Sequence, residues 1–195
     1  MQIAIALFEG LTALDAIGPY EVLSRLPGAS VKFVGNAVGV VRTDTKNLGL
    51  AVDATFDDVP HPDVLLVPGG PGVHEIPLDA PIFGWVRRAH ETSKWTLSVC
   101  TGSLILGGAG ILRGLSATTH WRFLDVLPKH GAKPVSERYV VEGKIVTAAG
   151  VSAGIDMGLL VAAKIAGDEV AKASPSVVEM VKERARQRDR DRQPR

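Results

Sequence analysis

The chain has 195 residues, 46% hydrophobic and 22% charged, with a formal net charge of +1. That length favours one domain whose core hides roughly 70% of the unfolded surface, and the ordinary composition excludes a disordered, collagen-like or coiled-coil chain. One cysteine excludes an intramolecular disulfide framework and a thiolate-rich zinc site, and the near-zero charge points to neither nucleic acid nor membrane.

Residues 3–8 read as a strand. Nothing basic precedes them, and Glu9 comes too soon for a signal peptide. No run reaches the ~18 apolar residues of a membrane helix, so a cytoplasmic protein is expected. Residues 14–26 read as a helix ending near Pro27-Gly28, and 31–35 as a second strand. Two β-like pieces, 38–42 and 50–56, flank a polar turn over 43–47. The apolar strand 64–67 stops at Pro68-Gly69-Gly70-Pro71-Gly72. A helix over 80–91, a strand over 95–99 and a small-residue helix over 101–109 follow. Residues 116–119 read as a short strand, and 123–129 as a helix that Gly131 ends. Residues 139–141 and 144–147 flank Glu142-Gly143, a hairpin signal. A long apolar helix covers 152–166. Residues 176–184 again have helical spacing, with Val177, Val178 and Val181 as a stripe, and 187–195 hold no apolar residue. Residues 182–195 carry seven Lys/Arg against three Asp/Glu, so they read as a solvated, charged end. This alternation predicts an α/β protein, a single-domain three-layer α/β/α sandwich with a mainly parallel sheet. The expected domain is 1–170, with 171–195 as a C-terminal helix and tail.

Three segments would converge at the carboxyl edge of such a sheet, where open α/β sheets bind ligands. Ser98-Val99-Cys100-Thr101-Gly102-Ser103 turns a strand into a helix and projects the Cys100 sulfur above the edge. The helix N-terminus favours thiolate over thiol there; the competing reading is a buried small hydrophobe, the usual fate of a free cysteine. Gly69 and Gly70 follow the 64–67 strand and could turn backbone N–H groups toward a developing anion, or simply form a loop. Asp15 follows the first strand. Alone, it reads as a helix-capping carboxylate.

Together these pieces resemble the ThiJ/PfpI superfamily, whose fold is that of the class I glutamine amidotransferases, a flavodoxin-like arrangement. The carriers are Leu66-Val67-Pro68-Gly69-Gly70, Ser98-Val99-Cys100-Thr101-Gly102, Ala117-Thr118-Thr119-His120-Trp121 and Gly150-Val151-Ser152-Ala153-Gly154-Ile155-Asp156. The resemblance implies a cysteine on a strained strand-to-helix elbow, contacted by an acidic residue from the first strand–helix junction. Asp15 in place of the more usual Glu, and Thr101 directly after the cysteine, resemble the isonitrile hydratase-like branch. Superfamily peptidases carry His where Thr101 stands, which argues against a Cys-His protease. The sensory halves of AraC-like regulators share this style, but the chain stops too soon for their helix-turn-helix region.

The resemblance implies a cofactor-free and metal-free lyase that hydrates an isonitrile to an N-substituted formamide. Cys100 would attack the terminal carbon, Asp15 would act as acid and then base with its pKa raised by burial or by the thiolate, and Thr101 would orient water or hold the pair. Backbone N–H groups of Gly70 and Thr101 would stabilise charge. His120, 20 residues after Cys100 on the next strand, could approach the sulfur, or serve a structural hydrogen bond or a dimer contact. Ile17, Phe8, Val73 and Trp121 are candidates for an apolar pocket, although such residues are more often core. His74 is a possible pocket neighbour, and the other histidines show no metal-ligand spacing. A small-molecule substrate and a homodimer are expected, with no nucleic-acid or membrane partner. Two other functions remain open. One is a glyoxalase- or deglycase-like enzyme on small carbonyl compounds, for which a Glu would be expected in place of Asp15. The other is a non-enzymatic cysteine redox or metabolite sensor.

Overall fold

The computed structural model describes residues 1–173 of the chain. In chain order, β1 (Gln2–Ala6) leads to α1 (Ala13–Leu23), then β2 (Ser30–Gly35) and the hairpin β3 (Gly39–Arg42) and β4 (Gly49–Val52). Next come β5 (Ala54–Thr55), β6 (Val64–Val67), a 3₁₀ turn (Pro71–Glu75), α2 (Pro81–Thr92), β7 (Trp95–Val99) and α3 (Gly102–Gly108). The rest is β8 (Ser116–Ala117), a 3₁₀ helix (Trp121–His130), β9 (Lys133–Pro134), β10 (Tyr139–Glu142), β11 (Ile145–Ala148) and α4 (Ser152–Ala173).

Seven strands form one sheet in the order β10-β11-β7-β6-β1-β2-β5. Every neighbouring pair is parallel except β10–β11, the hairpin expected around Glu142-Gly143. Side chains alternate between faces with period two. Ile3, Ile5, Val64, Leu66, Leu97 and Val146 pack against α1 and α4, while Ala4, Ala6, Leu65 and Val67 pack against α2 and α3. Because both faces are covered, β6 reads as an unbroken apolar run and β1 nearly so, while β7 buries Thr96 and Ser98 between its apolar residues. This is the expected three-layer, flavodoxin-like α/β/α arrangement in one domain. Among the described residues no helix is long and apolar enough to cross a membrane.

Several local expectations are corrected. The single piece expected over 50–56 is two strands. Asp53 stands between them and its carboxylate accepts from the Phe33 N–H at 3.0 Å, turning the chain from the hairpin onto the sheet edge. The expected helix over 123–129 is a 3₁₀ helix containing Pro128, which has no N–H to donate. The strand expected over 116–119 shortens to β8, which pairs only with β9 and lies off the main sheet. Helix α4 runs to Ala173, across the expected boundary at residue 170. The expected helix over 176–184 and the charged end lie outside the described residues.

What this topology does for function is to stop β1, β6, β7 and β11 at one carboxyl edge. The segments that follow them carry Asp15, Gly69 and Gly70, Cys100, and Gly150.

Candidate active site

Cys100 is the first residue after β7. Its N–H donates to the Ala148 carbonyl at 2.9 Å, so the sheet ladder holds it to the last moment. Its φ is 56°, a left-handed conformation rarely adopted by a residue with a side chain and one that stores strain of roughly 1–3 kcal/mol. Two hydroxyls clamp the elbow from beneath: Thr119 and Ser103 both donate to the Cys100 carbonyl, at 3.0 and 3.2 Å. Gly102 allows the turn, because a Cβ there would overlap the Val67 carbonyl oxygen. Helix α3 therefore starts hard against β6, and Cys100 is only 6% exposed.

Asp15 sits in the first turn of α1 and is fully buried. The capping role expected for a lone carboxylate is not what it performs. One oxygen accepts from the Gly69 N–H at 3.2 Å, the other from the Val151 N–H at 3.0 Å, at the start of α4. The Cys100 thiol lies within reach of its charge. One carboxyl thus ties together the ends of β6 and β11 beside the end of β7. Val151 is itself strained, with φ at 36° on a β-branched residue.

The surroundings of the sulfur oppose the pull of the helix N-terminus toward thiolate. Burial, and then the charge of Asp15, push the Cys100 thiol up to about 12, against hydrogen bonds from Thr101 that lower it. Burial likewise raises Asp15 to about 6, although the Gly69 and Val151 amides oppose the rise. A seven-residue helix offers a partial charge at best; a dry pocket containing a carboxylate outweighs it. Burial and mutual repulsion both disfavour a second negative charge on the pair.

The glycine amides are also engaged differently from the oxyanion expectation. Gly69 N–H serves Asp15, and Gly70 N–H donates to the Thr101 hydroxyl at 2.9 Å, which donates back to the Gly70 carbonyl at 3.1 Å. A Cβ on Gly69 would lie 2.8 Å from the Cys100 Cβ, so this glycine permits a backbone crossing. The Gly69-Gly70 segment is scaffolding for the pair, and Thr101 locks it to the elbow.

His120 does come near, though from the N-terminus of the 3₁₀ helix and not from a strand. A Cβ placed on Gly150 would be 3.6 Å from His120 Cδ2 and 3.7 Å from Cys100 Sγ. His120 Nδ1 accepts from the Arg122 N–H at 3.4 Å. With Nδ1 accepting, Nε2, the nitrogen bonded to the Cδ2 that faces Gly150, is the ring's donor. His74 and His120 both lie against Phe123, with ring centroids 4.7 and 6.0 Å apart, and Trp121 beyond them is 72% exposed. Ile17 is not brought in. Two helical residues beyond Asp15, it points about 200° round α1, half-buried and in neither core. Phe8 and Val73 pack at the core margins. Among the described residues no three His, Cys, Asp or Glu side chains gather as a metal site requires.

The Val151 amide, Thr119 and Phe123 had no reading in the sequence. A backbone N–H carries no side-chain signature. Thr119 lies inside the Thr118-Thr119-His120-Trp121 motif, where its place beside His120 was the available signal.

Comparison with known proteins gives a consistent result. The sequence pattern of the DJ-1/PfpI family matches residues 1–164. An isonitrile hydratase of Pseudomonas putida is 41% identical over 172 residues, covering 88% of this chain and 75% of the relative. A deglycase of Pyrococcus horikoshii is 30% identical over 137 residues, covering 69% of this chain and 81% of the relative. The crystal structure of a ThiJ/PfpI family protein from Pseudomonas syringae superposes with a TM-score of 0.83 at 33% identity, covering all of this chain and 76% of the other.

Proposed function

The chain belongs to the DJ-1/PfpI family, and on that premise we propose that it is a cysteine-dependent lyase that adds water to an isonitrile to give an N-substituted formamide. What supports this reading is the buried juxtaposition of the Asp15 carboxyl and the Cys100 thiol on the strained elbow after β7, with each group's charge felt by the other. An isonitrile carbon accepts both a nucleophile and a proton. A pair that holds both at one point matches that demand.

The proton passes from sulfur to Asp15 as the thiolate attacks the terminal carbon, and Asp15 delivers it to that same carbon. New S–C and C–H bonds give an N-substituted thioimidate on Cys100. Asp15, again a carboxylate, takes a proton from water; the hydroxide adds to the carbon, and the nitrogen receives the proton. The C–S bond then breaks with its electron pair going to sulfur. The added hydroxyl becomes the formamide carbonyl, and its proton returns through Asp15 to the thiol. One water has been added and the pair is restored. Thr101, tied to Gly70 through its hydroxyl, sets its N–H beside the sulfur. His120 Nε2–H offers a hydrogen bond to the nitrogen as charge develops there, the task first expected of Gly69 and Gly70. The 6% exposure of Cys100 suits a linear group with a narrow reacting end.

The test is incubation with cyclohexyl isocyanide and detection of N-cyclohexylformamide, with Cys100→Ala as control. Formamide that needs the cysteine supports the reading, and none from several isonitriles overturns it. The deglycase relative favours a second reading, action on small carbonyl compounds through the same thiol, which the same samples check with methylglyoxal. A redox sensor fits less well, because the thiolate is the oxidisable form and burial keeps Cys100 protonated. The expected homodimer stays in the proposal. Exposed Leu14, Trp121 and Val151 adjoin Asp15, His120 and Gly150, and a monomeric mass by light scattering would remove it.

A further inference from the structure

A cleft of about 740 Å³ opens at the same carboxyl edge but on the other side of the 8–12 segment from Cys100. Its walls come from three stretches: residues 7–9, which follow β1, the 36–41 segment that leads into and along β3, and the 72–82 segment that enters α2. Neither Asp15, Cys100, Thr101 nor His120 lines it. A close backbone crossing separates the two sites: Gly72 N–H donates to the Gly10 carbonyl at 3.0 Å, and Thr12 N–H donates to the Gly69 carbonyl at 2.9 Å.

The cleft is apolar inside and acidic at its mouth. Buried Phe56 and Ile82 lie at its base, at 5% and 3% exposure. Val38 and Val40 stand on one wall with 64% and 61% of their surface open, unusual for two aliphatic residues so close together on a strand and its entry. Glu9, Glu75 and Asp79 rim it, and its lining holds no Lys, Arg or His. Glu9 is fixed in place, since its carboxylate accepts from the Arg42 N–H at 3.1 Å on the hairpin. The volume lies within the ordinary range of small-molecule sites, roughly 300–1,000 Å³. Apolar walls accept a hydrocarbon body, and a rim of carboxylates attracts a cation and repels an anion.

We propose that this cleft is a second ligand site, separate from Cys100, for a small amphiphilic cation: an amine or guanidine on an alkyl or arylalkyl body. The body lies against Val38, Val40 and Phe56, and the charged head stays at the mouth among Glu9, Glu75 and Asp79. The proposal is independent of the chemistry assigned to the cysteine.

Titration calorimetry on the full chain with n-octylamine as probe, and octanoate and 1-octanol as controls, tests it. The amine is expected to bind at least about tenfold more tightly than either control, a difference of ~1.4 kcal/mol. Glu9→Gln/Glu75→Gln/Asp79→Asn together are expected to remove that preference while leaving 1-octanol binding unchanged, since all three side chains are exposed and the amides keep their size. Val40→Lys, at an exposed wall position, is expected to abolish binding of the amine. Cys100→Ala is expected to bind the amine as the wild type does. Equal binding of amine and octanoate overturns the proposal, as does amine binding that survives the triple neutralisation or disappears with Cys100→Ala. An unchanged thermal midpoint in each variant shows that folding is not what has been lost.

Discussion

Replacing Asp15 by asparagine separates two things that the Asp15–Cys100 pair does at once. The carboxylate charge is the second largest cause holding the thiol near 12. At pH 8 that leaves about one thiolate in 10⁴. An amide of the same size removes the charge, so the thiolate population must rise. Yet the amide cannot carry a proton from sulfur to carbon or from water to nitrogen. Losing acid–base catalysis costs about 10²–10⁴-fold, or roughly 3–5 kcal/mol of barrier. Asp15→Asn is therefore expected to be alkylated by iodoacetamide faster than the wild type at pH 8, while its isonitrile turnover falls at least about a hundredfold. The fold should survive. Ionising the buried carboxyl costs about 3 kcal/mol above pH 6, taken from the rise from 3.8 to about 6. Relief of that cost offsets the ~1–3 kcal/mol of leaving the Gly69 or Val151 N–H opposite an amide NH₂. Turnover within tenfold of wild type, or alkylation that slows together with turnover, would refute the reasoning.

The same carboxyl sets a pH dependence of stability. Its folded pKa is raised, so its contribution is fully present below 3.8 and is lost as pH rises through about 6. Denaturant unfolding of the wild type relative to Asp15→Asn should therefore fall by about 3 kcal/mol between pH 3 and pH 7; a flat or rising difference contradicts the burial argument. His120→Phe keeps a ring against Phe123 but removes Nε2–H, so kcat/KM for an isonitrile should drop about 10–100-fold with alkylation of Cys100 unchanged. Equal kcat/KM would leave His120 a structural cap. Gly102→Ala places a methyl on the Val67 carbonyl oxygen, and overpacking of this kind costs about 1–3 kcal/mol or more. A thermal midpoint within a degree of wild type would show that the elbow is looser than described.

The layers of this fold were legible because both-face burial leaves a plain mark: 64–67 is apolar throughout, and 3–8 is apolar from end to end. The cysteine elbow was legible because Gly102 next to a small-residue helix is needed for so tight a turn. Other features depend on long-range partners that spacing does not encode. A helix N-terminus, which favours thiolate, can be read from sequence, but the depth of burial that pushes the Cys100 thiol up cannot. Glycines announce exposed amides without saying what those amides meet; Asp15 and the Thr101 hydroxyl take both. Ile17 sits near Asp15 in sequence, but a helix turns neighbours two apart to opposite sides. The Val151 N–H, 136 residues from Asp15, completes the site through backbone alone.

The central claim is that the Cys100 sulfur forms a bond to the isonitrile carbon. Intact-protein mass spectrometry of a turnover mixture quenched in acid, followed by peptide mapping, examines that bond directly. The account predicts one isonitrile mass added per chain, located on Cys100, appearing transiently in the wild type under single-turnover conditions, formed far more slowly in Asp15→Asn and absent from Cys100→Ala. Formamide produced with no adduct at any time, or an adduct mapped to another residue, would contradict it.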